Sequence, residues 1–362
     1  MPERIDVGIL GATGLVGQHL VAMLADHPWF RLTWFAASER SAGRTYGDLP
    51  WRLATPQPPQ AAALRLSPLD DRGRSGAPAI LFSALDASVA GDAETSFAAS
   101  GRFVISNARN HRMDPLVPLV IPEVNPEHLD LLPHQRRARG WPDTSGIVTN
   151  PNCSTVFIAM VLAALKPFGP SRVVATTLQA LSGAGHPGVP SLEALGNVIP
   201  FISGEEDKIE CETRKLLGLF AEGSVSDADI VLSAQTTRVP VADGHTALLS
   251  IALDAAPTVE EVSTALAAFA AEPQARRLPT APRQPIVVHT ADDRPQPRLD
   301  VAFGHGMPVH CGRVRRCPVL GYKLVALGHN LVRGAAGAAL LNAELCVARG
   351  VIAAPVLASA SE

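Results

Sequence analysis

Cys153 lies at a point where the chain changes from one pattern to another. A short apolar stretch at 146–148 precedes it, an Asn-Pro-Asn turn at 150–152 leads into it, and an apolar run rich in helix formers begins at Val156. This order predicts a thiol at a helix N-terminus, where free backbone N–H groups and the helix dipole stabilise an anion. Because the thiolate is the nucleophilic form of cysteine, we expect a reactive thiol with a lowered pKa rather than a packed core cysteine.

His245 and Arg238 lie at the two ends of a turn between apolar strands. An imidazole exchanges protons near neutral pH, and a guanidinium holds a carboxylate by two hydrogen bonds. Acyl transfer at a thiol needs both functions, although a histidine before a strand can also be purely structural. Gln179, at a strand end that runs into a glycine-rich loop, is a candidate for orienting an acyl group; bracing the loop is its alternative role.

Further charged residues lie near the predicted ends of other elements. Arg112 follows an apolar strand, and the C-terminal ends of strands face the ligand crevice of open α/β sheets. Arg109 and His111 are rivals for the same role. Glu205 and Lys208 begin a polar helix, where acidic residues also favour the helix dipole, so a merely solvated helix start is the alternative.

A glycine pattern near the N-terminus predicts a dinucleotide loop. Gly11, Gly14 and Gly17 lie between an apolar strand at 6–10 and an amphipathic helix that extends to about Ala25. Glycines at such a junction permit a tight turn and close approach of a pyrophosphate to the helix N-terminus. The spacing is Gly-x-x-Gly-x-x-Gly rather than Gly-x-Gly-x-x-Gly, so a structural glycine turn is the alternative.

The end of the second predicted strand, at Phe30–Ala36, selects between the two nicotinamide cofactors. Ser38, Arg40 and Ser41 follow it, and two hydroxyls with an arginine suit the 2′-phosphate of NADP. Glu39 could instead accept the ribose hydroxyl of NAD. The residues favour NADP.

Composition narrows the class of protein. The 362 residues suggest about two domains, and 47% apolar with 18% charged residues is typical of a soluble globular chain. A net charge of −3 gives no electrostatic case for binding nucleic acid or an anionic membrane. The five scattered cysteines form neither a disulfide framework nor a zinc pattern, so we expect no metal. Without an export signal or a stretch of ~18 uncharged apolar residues, a cytoplasmic location is expected.

Strands alternating with helices in the first 150 residues predict a parallel sheet, and longer strands follow. We further expect a surface loop at 134–143, a solvent-facing connection at 274–297, a strand at 301–309 and a long helix at 335–347.

Taken together, the motifs resemble those of the aspartate-semialdehyde dehydrogenase family, in its archaeal and fungal branch, over nearly the whole chain. The landmarks are Gly-Ala-Thr-Gly-Leu-Val-Gly at 11–17, Ala-Ser-Glu-Arg-Ser-Ala-Gly at 37–43, Asn-Pro-Asn-Cys-Ser-Thr at 150–155, Gln-Ala-Leu-Ser-Gly-Ala-Gly at 179–185, Val-Ile-Pro-Phe-Ile-Ser-Gly-Glu-Glu at 198–206, Arg-Val-Pro-Val at 238–241, Asp-Gly-His at 243–245 and Gly-His-Asn-Leu-Val-Arg-Gly-Ala-Ala-Gly at 328–337.

The resemblance implies an α/β fold with two domains. A Rossmann-type nucleotide-binding domain would comprise residues 1–149 and 329–362, because the C-terminal helix returns to it. An α+β catalytic and dimerisation domain with a mixed sheet would comprise residues 150–328. A homodimer or a homotetramer is implied as well.

The resemblance also implies a role for each matching residue. Cys153 would be the nucleophile, His245 the acid/base, and Gln179 would orient the thioacyl intermediate. The substrate α-carboxylate would bind Arg238 and the amino group Glu205. Other substrate contacts, including those to phosphate, would come from Arg112, Lys208 and Asn152. NADP would contact Gly11, Thr13, Gly14, Leu15, Val16, Ser38, Arg40, Ser41, Ser83, Ser182, Gly183 and Asn330.

The implied activity is NADPH-dependent reduction of 4-phospho-aspartate to aspartate semialdehyde. A malonyl-CoA or related acyl-CoA reductase would use the same thiol chemistry and is the main alternative. N-acetylglutamyl-phosphate reductase fits the motifs less well. A cysteine hydrolase and a catalytically silent nucleotide-binding module remain as alternatives from other classes.

Overall fold

The first of two sheets is built from short apolar strands near the N-terminal end. In the computed structural model, which describes residues 4–38 and 41–352, every neighbouring pair of strands in it is parallel. Arg40, expected to hold the 2′-phosphate, and residues 353–362 of the expected nucleotide domain lie outside the described residues. The strands are β1 Ile5–Leu10, β2 Phe30–Ala36, β3 Leu66–Ser67, β4 Ile80–Ser83, β5 Phe103–Ser106 and β6 Gly146–Thr149, in the order β3-β2-β1-β4-β5-β6.

Helices cover both faces of this sheet, so its strands can be apolar along their whole length. Every residue of β4, β5 and β6 is buried. The helices in this half are α1 Leu15–Leu24, α2 Pro59–Ala62, α3 Asp71–Ser75, α4 Ala87–Ala99 and α5 Leu132–Arg139, with 3₁₀ turns at Tyr46–Asp48 and Pro126–Leu131. The order of strands reverses direction at β1, between β2 and β4, which is where open α/β sheets form their ligand crevice.

The second sheet is mixed. Its strands are β7 Pro170–Gln179, β10 Val231–Arg238, β11 His245–Leu253, β12 Ile286–Val288, β13 Val309–Cys317 and β14 Gly321–Gly328, in the order β10-β7-β11-β14-β13-β12. A separate hairpin pairs β8 Leu219–Ala221 with β9 Ser224–Ser226. Two pairs, β7 with β10 and β12 with β13, are parallel, and the other neighbours are antiparallel.

Helices pack on one face of the mixed sheet and share a core with it. They are α6 Cys153–Ala164, α8 Glu205–Leu216 and α9 Val259–Ala267; the short helices α7 Ser191–Ala194, α10 Glu272–Ala275 and α11 Pro297–Asp300 lie in connections. Further 3₁₀ turns occupy Lys166–Phe168, Leu181–Ala184 and Phe303–Gly306. The nearly continuous apolar sequence of α6 follows from its position, because it is buried on almost every side.

The last part of the described chain returns to the first sheet. A π-helical turn at Val332–Ala336 leads into α12 Gly337–Ala348, and both contribute to the core around β1 and β4. Glu344, fully buried on α12, bonds His27 at 2.8 Å (Oε1 to Nε2) and so joins this helix to the turn after α1. No helix among the described residues has both the length and the apolar character needed to span a membrane.

The surface loop predicted at 134–143 is wrong, because α5 extends through Arg139. Its arginines are good helix formers, and Gly140, with φ of +63°, ends the helix in the left-handed conformation. Gln135 is buried: its Oε1 accepts from the Ile147 N–H at 2.8 Å, which fixes α5 against β6.

The strand predicted at 301–309 is also wrong over most of its length. Gly304, His305 and Gly306 have positive φ angles, so this stretch turns, and β13 begins only at Val309. The connection predicted at 274–297 is wrong in part, because β12 lies within it and Ile286 is fully buried.

Candidate active site

Cys153 is the first residue of α6, at the edge of the first sheet where the parallel strands end. The Asn152 side chain caps this helix, since its Oδ1 accepts from the Ser154 N–H at 3.0 Å and the Thr155 N–H at 3.4 Å. A side chain on Gly334 would lie 2.6 Å from the Cys153 Cβ, so only glycine fits in the π-helical turn that packs against the thiol. The sequence prediction of a cysteine at a helix N-terminus is confirmed.

The expectation of a lowered thiol pKa is wrong for this arrangement. Cys153 retains partial exposure, yet burial, followed by the negative charge of Glu205, raises the pKa of its thiol to about 12. Arg112, the Ser154 N–H and Arg238 act in the opposite direction and do not outweigh these effects. The thiol is therefore protonated at neutral pH, and it must lose its proton as it reacts.

His245 opens β11 and is buried with only 1% of its surface exposed. Its Nδ1 accepts from the Ala180 N–H at 3.0 Å, so the neutral ring carries its proton on Nε2. Nε2 has no hydrogen-bond partner among the described residues. Burial, with the positive charge of Arg238 as the next cause, lowers the pKa of His245 to about 3. The ring is therefore neutral at pH 7 and has an Nε2–H available to donate.

Arg238 ends β10 and lies beside the histidine. Its Nη1 donates to the Ala180 carbonyl at 2.7 Å, and the Ala180 N–H donates to His245 Nδ1, so the backbone of one residue positions both side chains. A Cβ on Gly183 would lie 2.8 Å from both the arginine Nη1 and the imidazole Nε2. The glycine therefore keeps open the space that these two groups face.

Glu205, at the start of α8, is the centre of a buried polar cluster. Its Oε1 accepts from Lys208 Nζ at 2.7 Å, and its Oε2 accepts from Asn152 Nδ2 at 2.8 Å and Gln179 Nε2 at 3.4 Å. Although burial by itself raises the pKa of this carboxyl, Lys208, Asn152 and Gln179 together lower it below its ordinary value. The cluster therefore holds an ionised carboxylate beside the nucleophile.

Arg112 and Asn152 meet at a carboxylate that the sequence interpretation missed. Glu212 is 1% exposed; its Oε1 accepts from Arg112 Nη1 at 3.0 Å and its Oε2 from the Asn152 N–H at 2.5 Å. Arg112 Nη2 also donates to the Asn107 carbonyl at 2.7 Å, and Arg112 Nε has no partner among the described residues. Glu212 thus ties the turn that carries the nucleophile to the predicted phosphate-binding arginine.

The spacing of charged residues along α8 could have pointed to Glu212 from the sequence alone. Glu205, Lys208, Glu212 and Lys215 recur at intervals of three and four residues, so they share one face of a helix. In the structure this charged face is turned inward: Lys215 Nζ donates to the carbonyls of Arg112, Asp114 and Val117 at 2.7–3.0 Å.

The glycine loop begins where β1 ends, and its neighbours β2 and β4 end at the same edge. The Gly11 N–H donates to the Ala36 carbonyl at 2.9 Å, and the Ala84 N–H donates to the Leu10 carbonyl at 2.8 Å. Gly14 precedes α1, and a Cβ there would have no protein atom nearer than 3.9 Å. This opening is what a dinucleotide approaching the helix N-terminus requires.

The other predicted cofactor residues lie around this edge. Thr13, Leu15 and Val16 belong to the glycine loop and the first turn of α1. Ser38 and Ser41 follow β2, and the Ser41 N–H donates to the Ser38 carbonyl at 2.9 Å.

Asn330 and Ser182, two further predicted cofactor residues, are joined by a hydrogen bond. Asn330 Nδ2 donates to Ser182 Oγ at 2.9 Å, and its Oδ1 accepts from the Gly244 N–H at 2.9 Å. Asn330 thereby joins the loop beside Gly183 to the turn that carries His245. Ser83 ends β4 with its Oγ buried, next to β1.

Comparison with known proteins identifies the fold and the family. A family model described as semialdehyde dehydrogenase, NAD binding domain, matches residues 6–132, and one described as semialdehyde dehydrogenase, dimerisation domain, matches residues 162–333. An aspartate-semialdehyde dehydrogenase of Archaeoglobus fulgidus is 48% identical over 350 residues, which cover 96% of this chain and 100% of that protein. This chain belongs to the aspartate-semialdehyde dehydrogenase family.

Other members of the aspartate-semialdehyde dehydrogenase family are also similar to this chain in sequence and in structure. An enzyme of that name from Cryptococcus neoformans is 47% identical over 364 residues, which cover 96% of this chain and 98% of that protein. The crystal structure of aspartate semialdehyde dehydrogenase with NADP from Candida albicans superposes with a TM-score of 0.88 at 39% identity, covering 97% of this chain and all of that one. The resemblance inferred from the motifs and the expected α/β fold with a Rossmann-type and a mixed sheet are both confirmed.

Proposed function

We propose that this member of the aspartate-semialdehyde dehydrogenase family reduces 4-phospho-L-aspartate to L-aspartate 4-semialdehyde with NADPH, through a thioacyl intermediate on Cys153. The reaction would serve the biosynthesis of lysine, threonine, methionine and isoleucine in the cytoplasm. The observation that carries the proposal is the meeting of Cys153, His245, Arg238 and Glu205 at the edge of the nucleotide sheet, in a chain that is 48% identical to a dehydrogenase of that name.

The charges of the site suit an amino acid. In this proposal the Arg238 guanidinium would bind the α-carboxylate, and the Glu205 carboxylate would bind the α-amino group. Gln179 donates to Glu205 from the end of β7, so its amide can orient the acyl group close to the amino-group site. Malonyl-CoA offers a carboxylate to Arg238 but no ammonium group to Glu205, which is why the acyl phosphate of an amino acid is the substrate we propose.

Phosphate would bind on the α8 side of the thiol. Lys208 supplies a charge there, and Arg112 has its Nε unpaired while its other nitrogens are held by Glu212 and Asn107. Asn152 contacts both Glu205 and Glu212, so it would fix the position of the amino-group site relative to the phosphate site.

The proposed reaction moves two protons, one from the thiol in the first step and one to the sulfur in the second. Sulfur attacks the acyl carbon, the bond to phosphate oxygen breaks, and the thiol proton leaves with the phosphate. While the acyl carbon is tetrahedral its oxygen is negatively charged, and His245 Nε2–H is the donor placed to stabilise it. When the aldehyde forms, the departing sulfur takes up the one proton that the reduction consumes, with His245 exchanging it through Nε2.

The residues around the first sheet fit a nicotinamide dinucleotide phosphate. The opening above Gly14 admits the pyrophosphate, and the turn at Ser38 and Ser41 offers hydroxyls to a 2′-phosphate. Bound NADPH would supply hydride to the acyl carbon of the thioester. Gly183 would face the same space, because a side chain there would contact Arg238 and His245.

We also propose the domain boundaries at 149/150 and 328/329, and a homodimer formed through the open face of the mixed sheet. Val174, Val231 and Leu248 lie on that face by their register and are 41–66% exposed. Polar residues such as Thr176 and Ser233 lie between these exposed aliphatic side chains, and a second copy of the chain is the cover that the matched dimerisation family model favours. A dimer of dimers would bury further surface and give the homotetramer.

The reverse reaction tests the activity. The purified chain is mixed with aspartate semialdehyde, phosphate and either NADP or NAD, and reduced nicotinamide is followed by absorbance. We expect phosphate-dependent turnover that is faster with NADP and is abolished in Cys153→Ser. Turnover that required CoA instead of phosphate, or that survived in Cys153→Ser, would contradict the proposal.

Arg238→Lys tests substrate recognition. Lysine keeps the charge but loses the fork, so kcat/KM for aspartate semialdehyde should fall by about 10²-fold. Arg109→Lys is the control, since it makes the same change at an exposed arginine that is not proposed to bind the carboxylate. Unchanged kinetics in Arg238→Lys would exclude Arg238 as the carboxylate site.

A further inference from the structure

A cluster of metal-ligating side chains lies away from the active site, at the β12 edge of the mixed sheet. His289 directly follows β12, His310 is on β13, and Asp300 ends α11. One ligand atom from each of the three lies within 4.8 Å of the others. We propose that these three residues form a binding site for a single divalent transition-metal ion of the zinc class.

The distances suit a tetrahedral ion. His289 Nε2 is 3.1 Å from His310 Nδ1 and 3.8 Å from Asp300 Oδ1. Two nitrogens that each lie at the usual zinc–nitrogen distance, with a tetrahedral angle between them, are roughly 3.3 Å apart. Two imidazoles and a carboxylate are ligands that zinc accepts, and a water molecule can complete the tetrahedron through the side of His289 that remains exposed.

His310 is poorly satisfied by the protein alone. It is 1% exposed, its Nδ1 meets only the other imidazole, and its Nε2 has no hydrogen-bond partner among the described residues. An ion between the two rings would replace their single hydrogen bond of 3.1 Å with two coordinate bonds to imidazole nitrogens.

Arg294 at present supplies the positive charge that the buried Asp300 carboxylate requires. Its Nε donates to Oδ2 at 2.8 Å and its Nη2 contacts Oδ1, while the Gln296 N–H donates to Oδ2 at 2.6 Å. The arginine side chain is 30% exposed, so it can withdraw into solvent. A divalent ion bound at Oδ1 would take over its role, whereas the Gln296 N–H could continue to orient the carboxylate.

The proposed metal site lies outside the candidate active site, but its segment packs against the turn that carries His245. A side chain on Gly244, next to His245, would meet Val301 at 3.0 Å and Pro297 at 3.3 Å. These two residues flank Asp300 and belong to the same short segment. An ion at the cluster would therefore fix the segment that packs behind the turn carrying His245.

Cobalt titration of the full-length chain tests the site directly. Protein freed of metal by EDTA dialysis, in the Cys153→Ser background to exclude thiolate binding, is titrated with Co²⁺ and followed by visible d–d absorption. We expect one equivalent with tetrahedral bands, and at least tenfold weaker binding in His289→Ala, which removes a partly exposed ligand. His305→Asn is the matched control, because it removes an exposed histidine in the neighbouring turn at a positive φ that asparagine tolerates. Absence of stoichiometric bands, or equal binding in His289→Ala, would overturn the proposal.

Arg294→Gln separates a metal site from a plain ion pair. Without its guanidinium the Asp300 carboxylate is unpaired, so Tm in EDTA should fall. Added Zn²⁺ should then raise Tm more in this variant than in the parent, because the ion no longer competes with Arg294. An equal rise in both proteins would place the zinc away from the cluster, and no rise in either would show that the cluster is an ion pair only; both results would overturn the proposal.

Discussion

At the scale of single residues, the candidate active site places two neutral side chains next to two charged ones. The Cys153 thiol and the His245 imidazole are both uncharged at pH 7, because burial disfavours the thiolate and the imidazolium alike. The charges belong instead to Arg238 and Glu205, which we propose to bind the substrate. In the mechanism that we propose, the fixed charges would therefore serve recognition, and the reacting pair would be uncharged before substrate binds.

Alkylation of Cys153 should reveal this neutral state. With a thiol pKa raised to about 12, the thiolate fraction is small at pH 7 and grows about tenfold per pH unit well below the pKa. The rate of iodoacetamide modification, corrected with Cys153→Ser for the other cysteines, should keep rising from pH 6 to pH 9 with no plateau. A rate that was already level at pH 6 would indicate a thiolate–imidazolium pair instead.

At the scale of elements, α8 carries both Glu205, which we propose to bind the substrate amino group, and Glu212, which supports the turn before Cys153. Glu205 faces the substrate side, while Glu212, two turns later, holds Arg112 and the Asn152 N–H. A single helix thus sets the position of α6 relative to the predicted phosphate site. The inward charged face is possible because each charge has a partner.

Glu212→Gln should destabilise the fold. The amide can still accept from the Asn152 N–H, but Arg112 loses its buried counter-charge, which costs about 3 kcal/mol in the free energy of unfolding. Urea denaturation measures the change. Asp207→Asn, an exposed carboxylate on the same helix, should alter the unfolding free energy by less than about 1 kcal/mol. Equal effects in both variants would contradict the assigned role of Glu212.

The glycine loop offers a second test at this scale. In Gly17→Ala the new Cβ would lie 2.4 Å from the Gly11 carbonyl oxygen, so Tm should fall. In Gly14→Ala the Cβ meets no protein atom closer than 3.9 Å, so Tm should hold while the KM for NADP rises several-fold. A Gly14→Ala protein with an unchanged KM would argue against pyrophosphate binding at this point.

The sequence predicted those elements whose patterning is local. The first two strands, the glycine turn and the helix start at Cys153 follow from short apolar runs with clear boundaries. It failed where distant packing decides: α5 is rich in arginine yet fixed by Gln135 against β6, and 301–309 turns at glycines within an apolar stretch. The thiol pKa was misjudged because burial is a property of the whole site and cannot be read from a helix start.

At the scale of the whole molecule, two sheets meet so that their functional ends face each other. The first presents the ends of parallel strands, and the mixed sheet presents the end of β7, the end of β10 and the start of β11. Asn330 bonds across this meeting line to Ser182 and Gly244. The other face of the mixed sheet remains apolar and exposed at Val174, Val231 and Leu248.

Leu248→Glu should weaken the proposed dimer. A carboxylate buried in the proposed interface would have to be desolvated, which costs several kcal/mol. Size-exclusion chromatography with light scattering should show a shift toward the monomer mass. Val319→Glu, on an exposed turn outside this face, is the control and should leave the mass unchanged. A Leu248→Glu protein that stayed fully dimeric would place the interface elsewhere.

The glycine that packs against the Cys153 Cβ follows the cysteine by 181 positions in the chain. During synthesis on the ribosome, α6 and its thiol therefore emerge long before the turn at Val332–Ala336 that closes over them. A nascent chain that already holds both sheets would still have an unfinished catalytic centre. Activity should begin only after this late segment has docked, which delays the appearance of a working enzyme until the turn has left the ribosome.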